Sequence, residues 1–402
     1  MSAMKLTTPD ENTHELLDLE QLRNRHMLVR SPQMAALIHL RGTLLKAIRN
    51  FMESEDFVEV TTPTITSLTG ACEDFSTLFP LEYFGNKAFL TQTAQLHLEP
   101  LVHSQTLRRV YSINHSYRAE PRADHRHLTE FVLVEPEIGF GNLKILLDFE
   151  ERLVSHIVKM ALKTRREELE LLDADIAMLE TIKPPFRRIT YTQAVEQLNK
   201  MGIATEWGDD LDRKREIAIL EWTQFPTFIT HYPMELKFFN MRQNREDERV
   251  VNAADLLLPG VGEVCGGAER EEDPVRLRER LMNSVAMKHL LAAGGSAEDY
   301  EWYLQLRDHD SIPYAGFGMG FERLVQFITS SESCLNCVEY PRNSVHSSSS
   351  ARPSSTATSC SPAIPALSFS SRSVLAVSGS GLRGTWRFSR HPVTSSRSQV
   401  HQ

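Results

Sequence analysis

The chain has 402 residues, 41% of them hydrophobic, and a net charge of −9; it can bury a sizeable core and does not suit indiscriminate nucleic-acid binding, although a local basic groove could still hold RNA. No uninterrupted apolar run approaches the roughly 20 residues of a membrane span, and the polar, acidic start lacks the order of a secretory signal, so the expected location is cytoplasmic. Five cysteines do not make a disulfide framework, and the isolated Cys334/Cys337 pair lacks the further ligands that structural zinc requires.

Residues 1–14 are polar and expected to be mobile. Apolar positions recur at helical spacing from about Gln33 to Ser54, and strand signals follow at Phe57 to Val60, Phe75 to Phe79 and Ala88 to Thr91. The turn-prone SLTGACED loop, Ser67 to Asp74, interrupts them. Two β-rich runs come next, RRVYSI (Arg108 to Ile113) and FVLVEPEIGF (Phe131 to Phe140). Between them YRAEPRADHRHLTEF places Arg118, Arg122, Arg126 and His127 on a connecting loop. Cations held on a rigid hairpin suit a polyphosphate; the same cations paired with Glu120, Asp124 and Glu130 could equally form a solvated loop.

The spacing of apolar residues predicts a long amphipathic helix from Leu143 to Leu172, ended before Pro184-Pro185. A small helical insertion is expected over about residues 189–222, with strands resuming near Thr227. Near the end, GFGMGFERLVQFI (Gly316 to Ile328) reads as a glycine-lined strand running into an apolar helix that carries Arg323; glycine there lets the backbone approach a ligand. Residues 343–402 turn serine-rich and aperiodic, which predicts a disordered tail. The order of elements suggests an α+β layout, a mostly antiparallel sheet flanked by helices.

Three of these segments, FMESEDFVEVTTPTI (Phe51 to Ile65), the cationic hairpin and the glycine-rich strand with its helix, together resemble motifs 1, 2 and 3 of the class II aminoacyl-tRNA synthetases. TQTAQLHLE (Thr91 to Glu99) and DLLLPGVGEVCGGAERE (Asp255 to Glu271) narrow the resemblance to the aspartate/asparagine/lysine subgroup, most of all to its asparaginyl members, over roughly residues 15–342. The resemblance implies a class II synthetase-like antiparallel sheet and ATP-dependent activation of an amino acid to an aminoacyl-adenylate, followed by transfer to tRNA. It also implies Mg2+ and a homodimer joined through motif 1. By the same resemblance Arg118 holds the α-phosphate and the substrate carboxylate, Arg126 and His127 reach the outer phosphates, and Phe131 stacks on adenine. Arg323 covers the far side of the nucleotide, Asp255 and Glu263 hold the metal, and Gln95, Glu120 and Arg270 contact the amino acid.

Aspartate-specific members resemble QSPQLxK where this chain has Leu98, so asparagine is favoured: a second ionised carboxylate needs a buried cation, a neutral amide only hydrogen-bond partners. Thr69 departs from the TEGAGE pattern, which shifts the grip on the substrate ammonium towards Glu73. The anticodon-reading OB-fold that precedes motif 1 in the family is not recognisable. That leaves open a stand-alone paralogue resembling the archaeal asparagine synthetases, which passes an activated acyl group to ammonia or another amine, and an inactive dimeric regulatory paralogue.

Overall fold

The computed structural model describes residues 25–344 other than 68–76, 122–123, 293–295 and 309–310. Thr69, Glu73, Arg122, the first 14 residues and the serine-rich stretch beyond 344 lie outside the described residues. Helix α1 (Pro32–Ser54) begins where the Ser31 hydroxyl accepts the Met34 N–H and Pro32 occupies a position that needs no donor. Leu37, Leu40, Leu44, Ile48 and Phe51 form its buried stripe, at the spacing read in the sequence. The chain then lays down β1 (Val58–Glu59), β2 (Ile65–Thr66), β3 (Pro80–Tyr83), β4 (Asn86–Leu90), helix α2 (Gln95–Val102) and the hairpin of β5 (Arg109–Tyr117) with β6 (Glu130–Gly139). Helix α3 (Leu143–Thr164), capped by the Asn142 side chain, precedes β7 (Arg187–Thr190), α4 (Tyr191–Lys200), α5 (Arg213–Thr223) and β8 (Thr227–Thr230). Last come β9 (Ala253–Leu258), β10 (Gly262–Glu269), α6 (Pro274–Asn283), β11 (Tyr314–Gly320) and α7 (Phe321–Thr329).

Eight strands make one sheet in the order β1-β5-β6-β11-β10-β9-β8-β7. It is antiparallel except at its two edges, where β1 runs parallel to β5 and β7 parallel to β8. This is the α+β architecture expected from the order of elements. Because side chains alternate across a strand, β6 and β11 send Val134, Ile138, Phe317 and Met319 into a core shared with Leu146, Leu153 and Ile157 of α3. Their other face presents Phe131, Leu133, Glu135 and Glu137 beside Gly318 and Gly320, and so forms the floor of a cleft.

Two elements differ from expectation. The long helix stops at Thr164 because Arg165 leaves helical geometry (φ −137°) and turns its guanidinium to Thr43 Oγ1 at 2.7 Å and Glu168 at 2.6 Å; a short helix, Arg166–Leu171, then starts afresh. The segment expected as a helical insertion also supplies a sheet strand. Strand β7 pairs with β8 from Arg187↔Thr227 to Thr190↔Thr230, and the Thr190/Gln193 capping box then opens α4.

Glu150, on the buried side of α3, weakens this core. It is 1% exposed, its polar neighbour is the Cys265 thiol, and burial followed by the Asp255 charge pushes its pKa well above the carboxylate range. A carboxyl with a raised folded pKa keeps a proton that the unfolded chain releases. Its contribution is therefore complete below the unfolded value of 4.5 and is lost as pH rises towards the folded value. Glu150→Gln is expected to stabilise the protein by about 1–3 kcal/mol at neutral pH, with a smaller gap in acid. Calorimetric melts across pH check this, and a gap that does not shrink in acid contradicts it.

Candidate active site

Strands β5 and β6 stay in register from Arg109↔Ile138 to Tyr117↔Glu130, so the loop between them opens at Arg118. Asp124 shapes that loop: its carboxylate accepts the N–H groups of Arg126 (2.8 Å) and His127 (3.0 Å) and meets the His127 ring at 2.8 Å. Burial opposes ionisation of Asp124, but these hydrogen bonds hold its pKa below the ordinary value. Two of the loop's cations, Arg118 and Arg126, are not left to solvent. Arg118 stands over the Phe131 ring at 5.0 Å, and the Arg126 side chain is only 18% exposed.

Arg118, Arg126, His127 and Phe131 line a cavity of about 310 Å³ that Glu120, Glu263 and Arg323 complete. Arg323 enters from the first turn of α7, donating from Nη1 to the Glu263 carbonyl at 2.9 Å and lying 3.5 Å from that carboxylate. Burial, and next the Arg323 charge, lower the Arg126 pKa. Guanidiniums that repel one another across an open cleft are relieved by a polyanion between them, which suits a triphosphate. Arg126 is held 3.3 Å from Glu216 of α5, whose pKa burial and Glu263 raise to about 7.

A smaller cavity of about 130 Å³ continues from the first and shares Arg118, Lys237, Glu263 and Gly318 with it. Gln95, Arg270, Thr93, Glu135 and Glu137 line it. Arg270 donates to Glu137 at 2.5 and 3.4 Å. Burial drives the Glu137 pKa up to about 7 against the pull of Arg270. Gly316 is required beside it, since a Cβ there would run into the Glu137 carboxylate. Thr93 and the Ala94 N–H both donate to Glu135.

The structure thus brings Arg118, Arg126, His127, Phe131, Glu263 and Arg323 together in one compartment and Gln95 with Arg270 in the other. Glu120 stands apart from Gln95 and Arg270. Expected beside the substrate amide, it lines the larger compartment with Phe131 and Arg126 and not the smaller one. The physical reason is its place in the loop at the far end of β6, whereas Gln95 and Arg270 come from α2 and the end of β10. Leu98 packs into the core with Ala94, Val102, Val110 and Tyr314, so it does not itself wall the pocket.

Asp255 and Glu263 lie on neighbouring strands, and their carboxylates converge on Gly266: a Cβ there would stand 3.2 Å from Glu263 Oε1 and 3.5 Å from Asp255 Oδ1. Lys237 Nζ grips both Asp255 oxygens, at 2.6 and 2.8 Å. Burial opposes the charge on Glu263, but Arg323, Lys237, Arg118 and Arg126 outweigh it and lower its pKa. Among the described residues no group of three or more His, Cys, Asp or Glu side chains could hold a metal alone. Two carboxylates completed by substrate oxygens is the usual pattern for Mg2+, so the donor set fits an ion that arrives with a nucleotide.

A family profile described as class II tRNA synthetases (D, K and N) matches residues 18–344. The chain belongs to this family. It is 38% identical over 336 residues to the asparagine–tRNA ligase of Thermococcus gammatolerans, covering 83% of this chain and 74% of that one. Identity is 40% over 319 residues to the same ligase of Desulforamulus reducens, covering 79% and 71%. Among solved structures, the Pyrococcus horikoshii asparaginyl-tRNA synthetase complexed with asparaginyl-adenylate superposes with a TM-score of 0.76 at 36% identity, covering 86% of this chain and 77% of that one. The cleft also has residues that motif reading did not single out: Lys237, Glu135 and Glu137 line it, and Glu216 pairs with Arg126. Glu135 and Glu137 left a signal, carboxylates two apart in the apolar run FVLVEPEIGF, hence on one face of a strand. Lys237 and Glu216 left none.

Proposed function

We propose that the chain joins the carboxylate of asparagine to the α-phosphate of ATP, releasing pyrophosphate, and passes the asparaginyl group to tRNA. The observation that carries this reading is the pair of joined compartments: an aromatic and cationic one sized for a nucleotide, and a smaller one built on Arg270, meeting at Arg118. A carboxylate oxygen attacking phosphorus needs no general base; it needs two anions aligned, and positioning of this kind accounts for about 7–11 kcal/mol of barrier in well-oriented reactions. Arg118 spans the α-phosphate and the substrate carboxylate, Arg126, His127 and Arg323 take the outer phosphates, and Phe131 stacks on adenine. Glu120, beside that ring, accepts from the exocyclic amine. Asp255 and Glu263 hold Mg2+, which would neutralise phosphate charge as pyrophosphate leaves. Gln95 and Arg270 hold the amino acid. No helix among the described residues is long and apolar enough to cross a membrane, and the cytoplasm is the place of action in this reading.

Amino-acid-dependent exchange of labelled pyrophosphate into ATP, run over a panel of amino acids, tests the proposal. Asparagine is expected to support exchange and aspartate to do so far less well; exchange with another amino acid alone, or none, overturns it. Charging of asparagine tRNA tests the acceptor.

Assembly supplies a further prediction. Val58 of β1 and Ile65 of β2, within the stretch that resembles the family's dimer motif, are 47% and 44% exposed, and Ile38 of α1, the helix leading into it, is 41% exposed. In this reading they cover one another across a two-fold axis. Light scattering is expected to give twice 45.8 kDa, and Ile65→Asp to lower that mass; a monomeric parent chain contradicts it.

A further inference from the structure

Behind the smaller compartment lies Glu99, a carboxylate with 0% exposure that does not line the cavity itself. One oxygen accepts from Gln95 Nε2 at 2.7 Å and Asn240 Nδ2 at 3.2 Å and lies 3.7 Å from Arg270 Nε. The other accepts from the Tyr303 hydroxyl at 2.7 Å, Arg307 Nη2 at 2.9 Å and the Tyr314 hydroxyl at 2.6 Å. Glu99 therefore ties both side chains assigned to the amino acid, Gln95 and Arg270, to a rigid layer made by β11 and the segment before it. Desolvation penalises a charge at this depth, yet the two arginines and the tyrosine hydroxyls hold Glu99 below the ordinary carboxylate range.

We propose that Glu99 is the positioning residue that sets amide-over-carboxylate specificity, aiming Gln95 and Arg270 while cancelling positive charge that would otherwise welcome an aspartate side chain. This rests on the adenylate-forming reading given above. The charge balance supports it. Arg270 and Arg307 bring two positive charges to this layer, and Glu137, which titrates at about 7, is only partly ionised near neutrality. Ionised Glu99 cancels one of these two charges and Glu137 part of the other, which lowers the cost of admitting a neutral amide and weakens the attraction for a second carboxylate. Leu98, buried next to it, adds no cation.

The test is pyrophosphate exchange with asparagine and aspartate separately, on the full chain and on Glu99→Gln and Glu99→Asp. Glutamine keeps the shape and removes the charge. It is expected to raise the asparagine KM about 10- to 100-fold, by analogy with partners that stand behind metal-binding side chains, to leave the ATP KM unchanged, and to raise the aspartate-to-asparagine ratio of kcat/KM at least about tenfold. Aspartate at this position keeps the charge and shortens the reach, so the asparagine KM should rise while the ratio stays at its parent value. A parent chain that does not respond to asparagine overturns the proposed function. A responsive parent with an unchanged ratio in a folded Glu99→Gln protein overturns the role of Glu99. If that variant does not fold, Glu99→Asp decides, and an unchanged asparagine KM in it overturns the proposal.

Discussion

Arg118→Ala and Arg323→Ala are each expected to lower asparagine-dependent pyrophosphate exchange by about 10²–10³-fold, the loss seen when a preorganised donor to transition-state charge is removed, with little change in melting temperature. Arg118 lines both compartments, stacks on Phe131 and is the cation placed where carboxylate and α-phosphate would meet. Its removal takes away alignment and charge neutralisation together. Arg323 acts from the opposite wall through α7, whose buried residues Phe321, Leu324 and Val325 anchor it independently of the guanidinium, which is why the fold should survive. Arg126→Ala should have a smaller effect, mainly on the ATP KM, because that side chain shares its charge with Glu216. Exchange at the parent rate in folded Arg118→Ala protein would remove the hairpin from the chemistry.

The sequence displays what is local and leaves hidden what is assembled. The cationic loop, the α1 stripe and the Gly316–Gly320 strand are each legible because a pattern of neighbours in the chain encodes them. Strand β7 is not, since four residues, Arg187–Thr190, become a strand only by pairing with β8. The same holds for the site. Arg118, Phe131 and Arg323 sit in motifs with their own spacing, whereas Lys237 matters because folding sets it on Asp255, and Glu216 because α5 brings it to Arg126. Glu120 lines the larger compartment, apart from Gln95 and Arg270, for a related reason. Distance along a hairpin, not distance in sequence, decides which end of β6 a loop residue serves. Leu98 lies on the same helix as Gln95 but packs into the core, and the polar contact to Gln95 is made by the next residue, Glu99.

Arg270→Met is expected to abolish use of asparagine and to destabilise the fold, and the pH dependence of the second effect separates it from a general packing loss. Arg270 is 4% exposed, and its guanidinium lies between Glu137 and Glu99. Removing one partner of a buried pair leaves the other charge uncompensated, which typically costs about 3–5 kcal/mol; losing the donor to the substrate side chain should lower asparagine kcat/KM by at least about 10³-fold. Burial already places the Glu137 pKa at about 7 and Arg270 opposes that rise. A carboxyl raised in the fold favours the folded state in acid. Its contribution is whole below 4.5 and is lost as pH climbs through the folded value. Without Arg270 the folded value moves higher still, so more of that loss accumulates on the alkaline side. The stability gap between parent and Arg270→Met should therefore be smallest near pH 5 and widen towards about pH 8. Urea unfolding at both values reads it directly, and a gap independent of pH would mean that Glu137 does not depend on Arg270 for its charge.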